Sequence, residues 1–229
     1  MPRLFDPSRA RSALGPLQLL RLGRGQPVSP SWGWDRGLPI DRHYIESFLA
    51  ANRGDIRGRV LEVKGPEYAH RFGENVERVD VLDIDITNTS ATIVADLANG
   101  DGIPQETFDC FILTQTLQYV YDVRAAVSQA AALLVPGGVL LATVPGISRV
   151  SSVRPGVSPD DFWRFTPAAC RELATREFGD SHAHLVTYGN ALSAAAFIAG
   201  LATEELTPSR VAAHDERFPV LIAFRAVKP

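Results

Sequence analysis

The chain has 229 residues and a formal net charge of -3, and apolar residues make up 45% of it. That length suits one domain of ordinary size with an added N-terminal segment, and that composition buries a real core. No apolar run approaches the roughly 20 residues of a membrane helix, and the stretch Leu17 to Leu20 is too short and too interrupted by Arg for a signal-peptide core, so a soluble cytoplasmic protein with no membrane partner is expected. From Met1 to Arg59 there are ten Arg against five acidic residues, while the remainder carries thirteen basic against twenty-one acidic. The arginines are scattered, without aromatics interleaved at regular spacing. A basic leader that packs on an acidic body is the plainer reading, and no nucleic-acid partner is expected. The two cysteines, Cys110 in an apolar run and Cys170 in a helical pattern, form neither a disulfide framework nor a zinc site.

In chain order, residues 1–37 are rich in Arg, Pro, Gly and Ser and are expected to be irregular, with one short helix near Leu14 to Leu22. Asp41 then opens a helix as its N-cap. Tyr44, Ile45, Phe48 and Leu49 share a face, and Gly54 ends the segment, which makes 38–54 a leader helix. From Arg59 the pattern alternates strand and helix. VLEV from Val60, RVDVLDI from Arg78, ATIVADL from Ala91 and FDCFILT from Phe108 supply four strands, the last apolar on both faces as a central parallel strand should be. A helix over Asp122 to Leu134 runs into the turn Pro136-Gly137-Gly138. The strand VLLATVP from Val139 follows, then a helix from Thr166, its N-cap, to Phe178. HLVTY from His184, a small-residue helix over Ala191 to Gly200, and the closing strand VLIAFRAV from Val220 complete residues 38–229 as a single domain. Strands alternating with helices argue for an α/β protein with an open parallel sheet covered on both faces.

Ligands of such sheets bind beyond the carboxyl ends of the strands, and four strand ends carry suitable side chains. After the first strand, Gly65 permits close backbone approach, but GxGxxG is absent, which argues against a pyrophosphate cradle and a nicotinamide cofactor. Asp83, ending the second, is placed to accept both hydroxyls of a ribose, with Asp80 and Asp85 as competitors. Asp96, beyond the third, can accept from an adenine amino group or cap the turn that follows. Thr114 and Gln115, directly after the fourth, lie at the expected pocket floor, where they either contact the amino-acid end of a ligand or cap the next turn.

The run from Asp96 to Gly146 resembles the middle of a class I S-adenosylmethionine-dependent methyltransferase of the type 11 group. Asp96, Ile103-Pro104, Thr107-Phe108-Asp109 and Leu134-Val135-Pro136-Gly137-Gly138 stand in the family's order. DDFWRFTPAACREL from Asp160 and RGLPIDRHYIESFL from Arg36 are similar to a signature and a leader found in members that accompany glycan and natural-product pathways. The resemblance implies a Rossmann-like class I fold, mostly parallel with an antiparallel closing strand. It implies S-adenosyl-L-methionine as cofactor, with Glu62, Gly65, Asp83, Asp96, Leu97, Thr114 and Gln115 as its contacts. The reaction it implies is methylation of a small-molecule hydroxyl on a sugar, glycan or natural product. Lys64-Gly65-Pro66 departs from the family's glycine-rich first motif, Leu117-Gln118-Tyr119 replaces its Leu-Glu-His, and the short spacing before the third strand shortens or removes a helix. The Lys64 ammonium is expected to point to solvent. A methyltransferase scaffold kept as a non-catalytic partner is the alternative reading.

For the acceptor, His43 and Tyr44 from a leader helix covering the pocket are the candidate catalytic residues, His43 being the better base by its ordinary pKa. Trp163, Arg164 and Tyr188 are the candidate substrate contacts. Asp180, His182 and His184 lie away from the expected pocket, so no metal is expected. A homodimer is left open.

Overall fold

The computed structural model describes residues 21–151 and 160–229. The short helix expected near Leu14 to Leu22 lies almost wholly outside them. The described residues divide into two compact units: one comprises 47–145, 150–151, 160–186 and 222–229, the other 21–46, 146–149 and 187–221.

Among the described residues, one sheet carries seven strands: β1 (Gly58–Val63), β2 (Val76–Asp83), β3 (Ile93–Val94), β4 (Phe108–Thr114), β5 (Leu134–Pro145), β6 (Ala183–Tyr188) and β7 (Leu221–Val227). Their spatial order is β3-β2-β1-β4-β5-β7-β6. The pairs β3–β2, β2–β1, β1–β4 and β4–β5 are all parallel. β7 runs the other way: at one end of β5 the Gly137 N–H donates to Lys228 O, and at the other the Gly146 N–H donates to Val220 O. Strand order reverses between β1 and β4, which marks the topological switch point.

Burial explains the central strands. Cys110, Phe111, Ile112 and Leu113 of β4 are all fully buried, so both faces of the strand meet core. Phe111 and Leu113 pack with Leu61, Leu140, Phe178 and Phe224 into one apolar cluster. The helices that cover the sheet start where capping chemistry allows. Asp122 accepts the Ala125 N–H at 3.0 Å ahead of the Val123–Leu133 helix, and Thr166 accepts the Ala169 N–H at 3.2 Å ahead of Pro167–Phe178. In the other unit, Asn190 and Ser193 form a reciprocal capping box on Ala191–Ala199, which ends at Gly200 in the left-handed region.

Several boundaries differ from those the sequence suggests. The leader helix spans Ile40–Ala51, so Asp41 sits inside its first turn, accepting the Arg42 N–H, rather than at its N-cap. Gly54 belongs to a separate 3-10 turn, Arg53–Asp55. Pro136-Gly137-Gly138 does not interrupt β5. Phe108 of β4 pairs with Leu134 and Cys110 with Val139, so the extra residues bulge while the strand runs on. The bulged backbone is held from the other side, where the Lys228 N–H donates to Gly138 O. Two short helices, Glu67–Phe72 and Pro208–Ala212, carry no strong sequence signal. Residues 84–92 form turns without a helix. Among the described residues, no helix is long and apolar enough to cross a membrane.

Candidate functional site

The carboxyl ends of β1, β2 and β4 bring most of the candidate cofactor residues into one unit. Glu62, the penultimate residue of β1, is buried at 2% exposure. Its Oε1 accepts the Tyr68 N–H at 3.0 Å and its Oε2 the Ala69 N–H at 2.7 Å, so it holds the start of the Glu67–Phe72 helix against the strand. Burial pushes this carboxyl up to about 7 despite those two bonds, and the nearby Glu67 adds to the shift.

The loop after β1 turns at Lys64, whose φ is 68°. The family pattern has glycine there; a lysine occupies the left-handed region at a steric cost. Its side chain is exposed, and its N–H donates to Leu82 O of β2 at 2.9 Å. Asn88, which the sequence reading did not single out, clamps this loop to the end of β2. Its Nδ2 donates to Lys64 O at 2.8 Å and to Asp83 Oδ2 at 2.7 Å. Gly65 is buried immediately beyond, where an added Cβ would strike the Glu67 carboxylate.

The three acidic side chains around the end of β2 divide by environment. Asp83 is half-buried at the strand end, its Oδ1 accepting the Asp85 N–H at 3.1 Å. Asp85 is exposed and caps its own turn through Thr87, whose hydrogen bonds hold its carboxyl below the usual range. Asp80 lies inside the strand, paired with Arg59 at 2.7 Å and Arg78 at 2.8 Å. Burial works to raise its pKa, but the two guanidiniums outweigh it and hold the carboxyl low. Asp80 thus has a structural role, and Asp83 is the carboxylate at the sheet's carboxyl edge. Beyond β3, Asp96 accepts the Ala98 N–H at 2.9 Å and so caps the turn it opens, while Leu97 beside it is buried.

At the end of β4, Thr114 is buried and Gln115 takes a φ of 48°, its N–H donating to Thr143 O at 2.9 Å. The Gln118 amide nitrogen donates to Gln115 O at 3.0 Å and to Gln115 Oε1 at 3.2 Å. Gln115 Nε2 and Gln118 Oε1 are buried and have no partner among the described residues. A donor and an acceptor left over side by side at the carboxyl end of a central strand are costly unless something meets them. In the sequence Gln118 stands out only as the middle of Leu117-Gln118-Tyr119, and its bonds to Gln115 are not foreseen there. The signal available for it was a polar residue continuing the run after a buried strand.

Trp163 and Arg164 belong to the same unit. The Phe162 and Trp163 N–H groups both donate to Gln118 O, at 2.8 and 3.3 Å, and Trp163 Nε1 donates to Val120 O at 3.0 Å. Arg164 makes a two-pronged pair with Asp161, Nη1 to Oδ1 at 2.6 Å and Nη2 to Oδ2 at 2.8 Å.

His43, Tyr44 and Tyr188 lie in the other unit and cluster with one another. Tyr44 is buried, donates its hydroxyl to Val211 O at 2.9 Å, and stacks on Tyr188 at 5.5 Å, with the His43 ring 5.7 Å from its own. Burial raises the pKa of both phenols, which disfavours their ionised, basic form near neutrality. Among the described residues, no group of three or more His, Cys, Asp or Glu is placed to hold a metal ion.

Residues 58–142 match a family model described as a methyltransferase domain, the type 11 group. That span runs from β1 into β5 and contains Glu62, Asp83, Asp96 and Gln115. No curated protein matches the chain. Among solved structures, the fold is similar to phosphoethanolamine N-methyltransferase 2 of Haemonchus contortus, solved with phosphomonomethylethanolamine and S-adenosylhomocysteine, at 14% identity and a TM-score of 0.52. The match covers 80% of this chain and 52% of that one, so this chain spans about half the length of the nematode enzyme. It is also similar to a SAM-dependent methyltransferase from Archaeoglobus fulgidus, with 11% identity, a TM-score of 0.52, and coverage of 82% and 94%. An S-adenosylmethionine-dependent methyltransferase from Mesorhizobium loti gives 17% identity, a TM-score of 0.51, and coverage of 82% and 98%. The fold of this chain is that of the class I methyltransferases.

Proposed function

We propose, from the class I methyltransferase domain that the chain carries, that it transfers a methyl group from S-adenosylmethionine to a hydroxyl of a small sugar, glycan or natural-product acceptor. The observation that carries this reading is the family match over residues 58–142, with its acidic and amide side chains gathered at the carboxyl ends of β1, β2 and β4. The residues present suit the cofactor. Asp83 accepts from ribose hydroxyls, Asp96 from the adenine amino group, and the unpartnered Gln115 Nε2 donates to a carboxylate. No phosphate has to be held, so the missing glycines at Lys64 and Pro66 do not disqualify the loop. Bound there, S-adenosylmethionine supplies a methyl carbon already activated by its sulfonium. The chain's own task is then alignment of the acceptor and exclusion of water. Trp163 and Arg164 are the acceptor contacts in this unit.

Titration calorimetry with S-adenosylmethionine and S-adenosylhomocysteine tests the reading. Saturable binding is the expected result, and no heat at millimolar ligand would overturn it. A second reading, a scaffold retained as a non-catalytic partner, is favoured by the strained Lys64 and the rigid Pro66 where the family has glycines. Turnover of a tritiated methyl donor with a cell extract decides against that alternative.

A further inference from the structure

Outside the cofactor-binding strand ends, the most unusual surface of this unit is a cluster of rings. Tyr121, Phe162 and Trp163 are 71%, 44% and 37% exposed. The Tyr121 ring meets Phe162 edge-on with centroids 5.4 Å apart, and lies 6.1 Å from Trp163. Single exposed apolar side chains are ordinary, but three touching aromatic rings are a contiguous patch of the kind that marks a binding surface.

We propose that Tyr121 and Phe162 join Trp163 in a platform that binds the methyl acceptor by the apolar face of a hydroxyl-bearing ring. The proposal rests on the methyltransferase reading above. Three features support it. The rings are held in place before any ligand arrives: Trp163 by its Nε1–H bond to Val120 O, and the Phe162–Trp163 backbone by two N–H bonds to Gln118 O. Little ordering entropy is then lost on binding. The platform is also continuous with the cofactor-binding strand end, because the Gln118 that anchors it donates to Gln115 at the end of β4. Finally, polar groups at its border are already paired with one another. The Arg164 guanidinium is paired with the buried Asp161 carboxylate, and the Tyr119 and Ser151 hydroxyls are hydrogen-bonded at 2.8 Å. Exposed aromatic faces bordered by polar groups suit a ring with hydroxyls at its edge better than an acyclic acceptor. Pyranose and aryl rings share that chemistry.

Saturation-transfer NMR on the full chain tests the idea with methyl β-D-glucopyranoside, phenol and acyclic sorbitol as probes, each with S-adenosylhomocysteine calorimetry alongside. Transfer to the ring C–H protons of the pyranoside or of phenol is expected, with little to sorbitol. A pyranoside signal assigns the platform to sugars, and a signal from phenol alone assigns it to aryl acceptors. Tyr121→Ala and Phe162→Ala should each weaken the ring probe about threefold to tenfold, while Tyr121→Phe keeps it and S-adenosylhomocysteine affinity stays unchanged. Equal signals in wild type and both Ala variants, sorbitol matching the rings, or silence from both ring probes would overturn the proposal. A change in sedimenting mass in the Tyr121→Ala, Phe162→Ala double variant would also overturn it, since the patch would then join copies of the chain. Failure of S-adenosylhomocysteine to bind while ring probes still respond would instead defeat the cofactor reading and leave the platform standing.

Discussion

Glu62 shows how one buried side chain can set a property of the whole protein. A carboxyl whose folded pKa is about 7, raised from 4.5, binds its proton more tightly in the folded state than in the unfolded chain. Folding stability is therefore highest while the group stays protonated in both states, and falls as pH rises from about 4.5 through about 7. The loss is on the order of 3 kcal/mol across that window. Denaturant midpoints of the wild type and Glu62→Gln, measured from pH 4.5 to 8.5, should show a downward slope in the wild type that the variant lacks. Parallel curves would show that Glu62 titrates as an ordinary surface carboxyl. Lys64 offers a second test at this scale. Its φ of 68° favours glycine, tolerates lysine, and is worst for a β-branched residue. Thermal unfolding should rank Lys64→Gly above wild type by about 0.5–1 kcal/mol, and Lys64→Val below it by about 1–2 kcal/mol. A flat series would mean that the loop relaxes out of the left-handed region.

At the scale of elements, the bulge in β5 separates two adjacent glycines by mechanism. Gly137 has a φ of 80° with open space around it, while a Cβ on Gly138 would lie 2.8 Å from Val135 O and 2.9 Å from Phe108 O. Backbone atoms of two strands cannot move aside as a flexible side chain can. Gly138→Ala should therefore cost about 1–3 kcal/mol in chemical denaturation, and Gly137→Ala about 1 kcal/mol. The same bulge shows what the sequence could and could not convey. β4 and β7 were legible because an apolar run of that length has few alternatives to a central strand. The start of β5 was hidden because Pro-Gly-Gly reads locally as a turn, and only pairing with Phe108 on one side and Lys228 on the other makes it strand. The Glu67–Phe72 helix was hidden because it is six residues long and held by Glu62, a contact no local pattern reveals. For the candidate site, the places of Asp83 at the end of β2 and of Asp96 beyond β3 were legible. The clamp made by Asn88 and the bonds from Gln118 to Gln115 were not, because they exist only once neighbouring loops are folded against them.

For the whole molecule, strand order gives the sharpest expectation. The reversal between β1 and β4 marks the strand ends where sheets of this kind bind ligands, and every candidate cofactor contact except the turn at Asp96 and Leu97 lies within a residue or two of the end of β1, β2 or β4. A ligand held by several elements at once stabilises the fold that brings them together. At a hundred times its dissociation constant, that linkage is worth about 2.7 kcal/mol. For a chain of this size, it is a rise in thermal midpoint of roughly 5–10 °C. S-adenosylhomocysteine should produce that rise in the wild type. Asp83→Asn, which removes the charged acceptor proposed for the ribose hydroxyls, should need about tenfold to a hundredfold more ligand for the same rise. Asp215→Asn makes the matching control, because Asp215 is the half-buried partner of the exposed Arg217 in the other unit. A retained but empty scaffold would give no rise in any of the three proteins. A rise insensitive to Asp83→Asn would move the cofactor away from the end of β2, and with it the assignment of the acceptor platform beside β4.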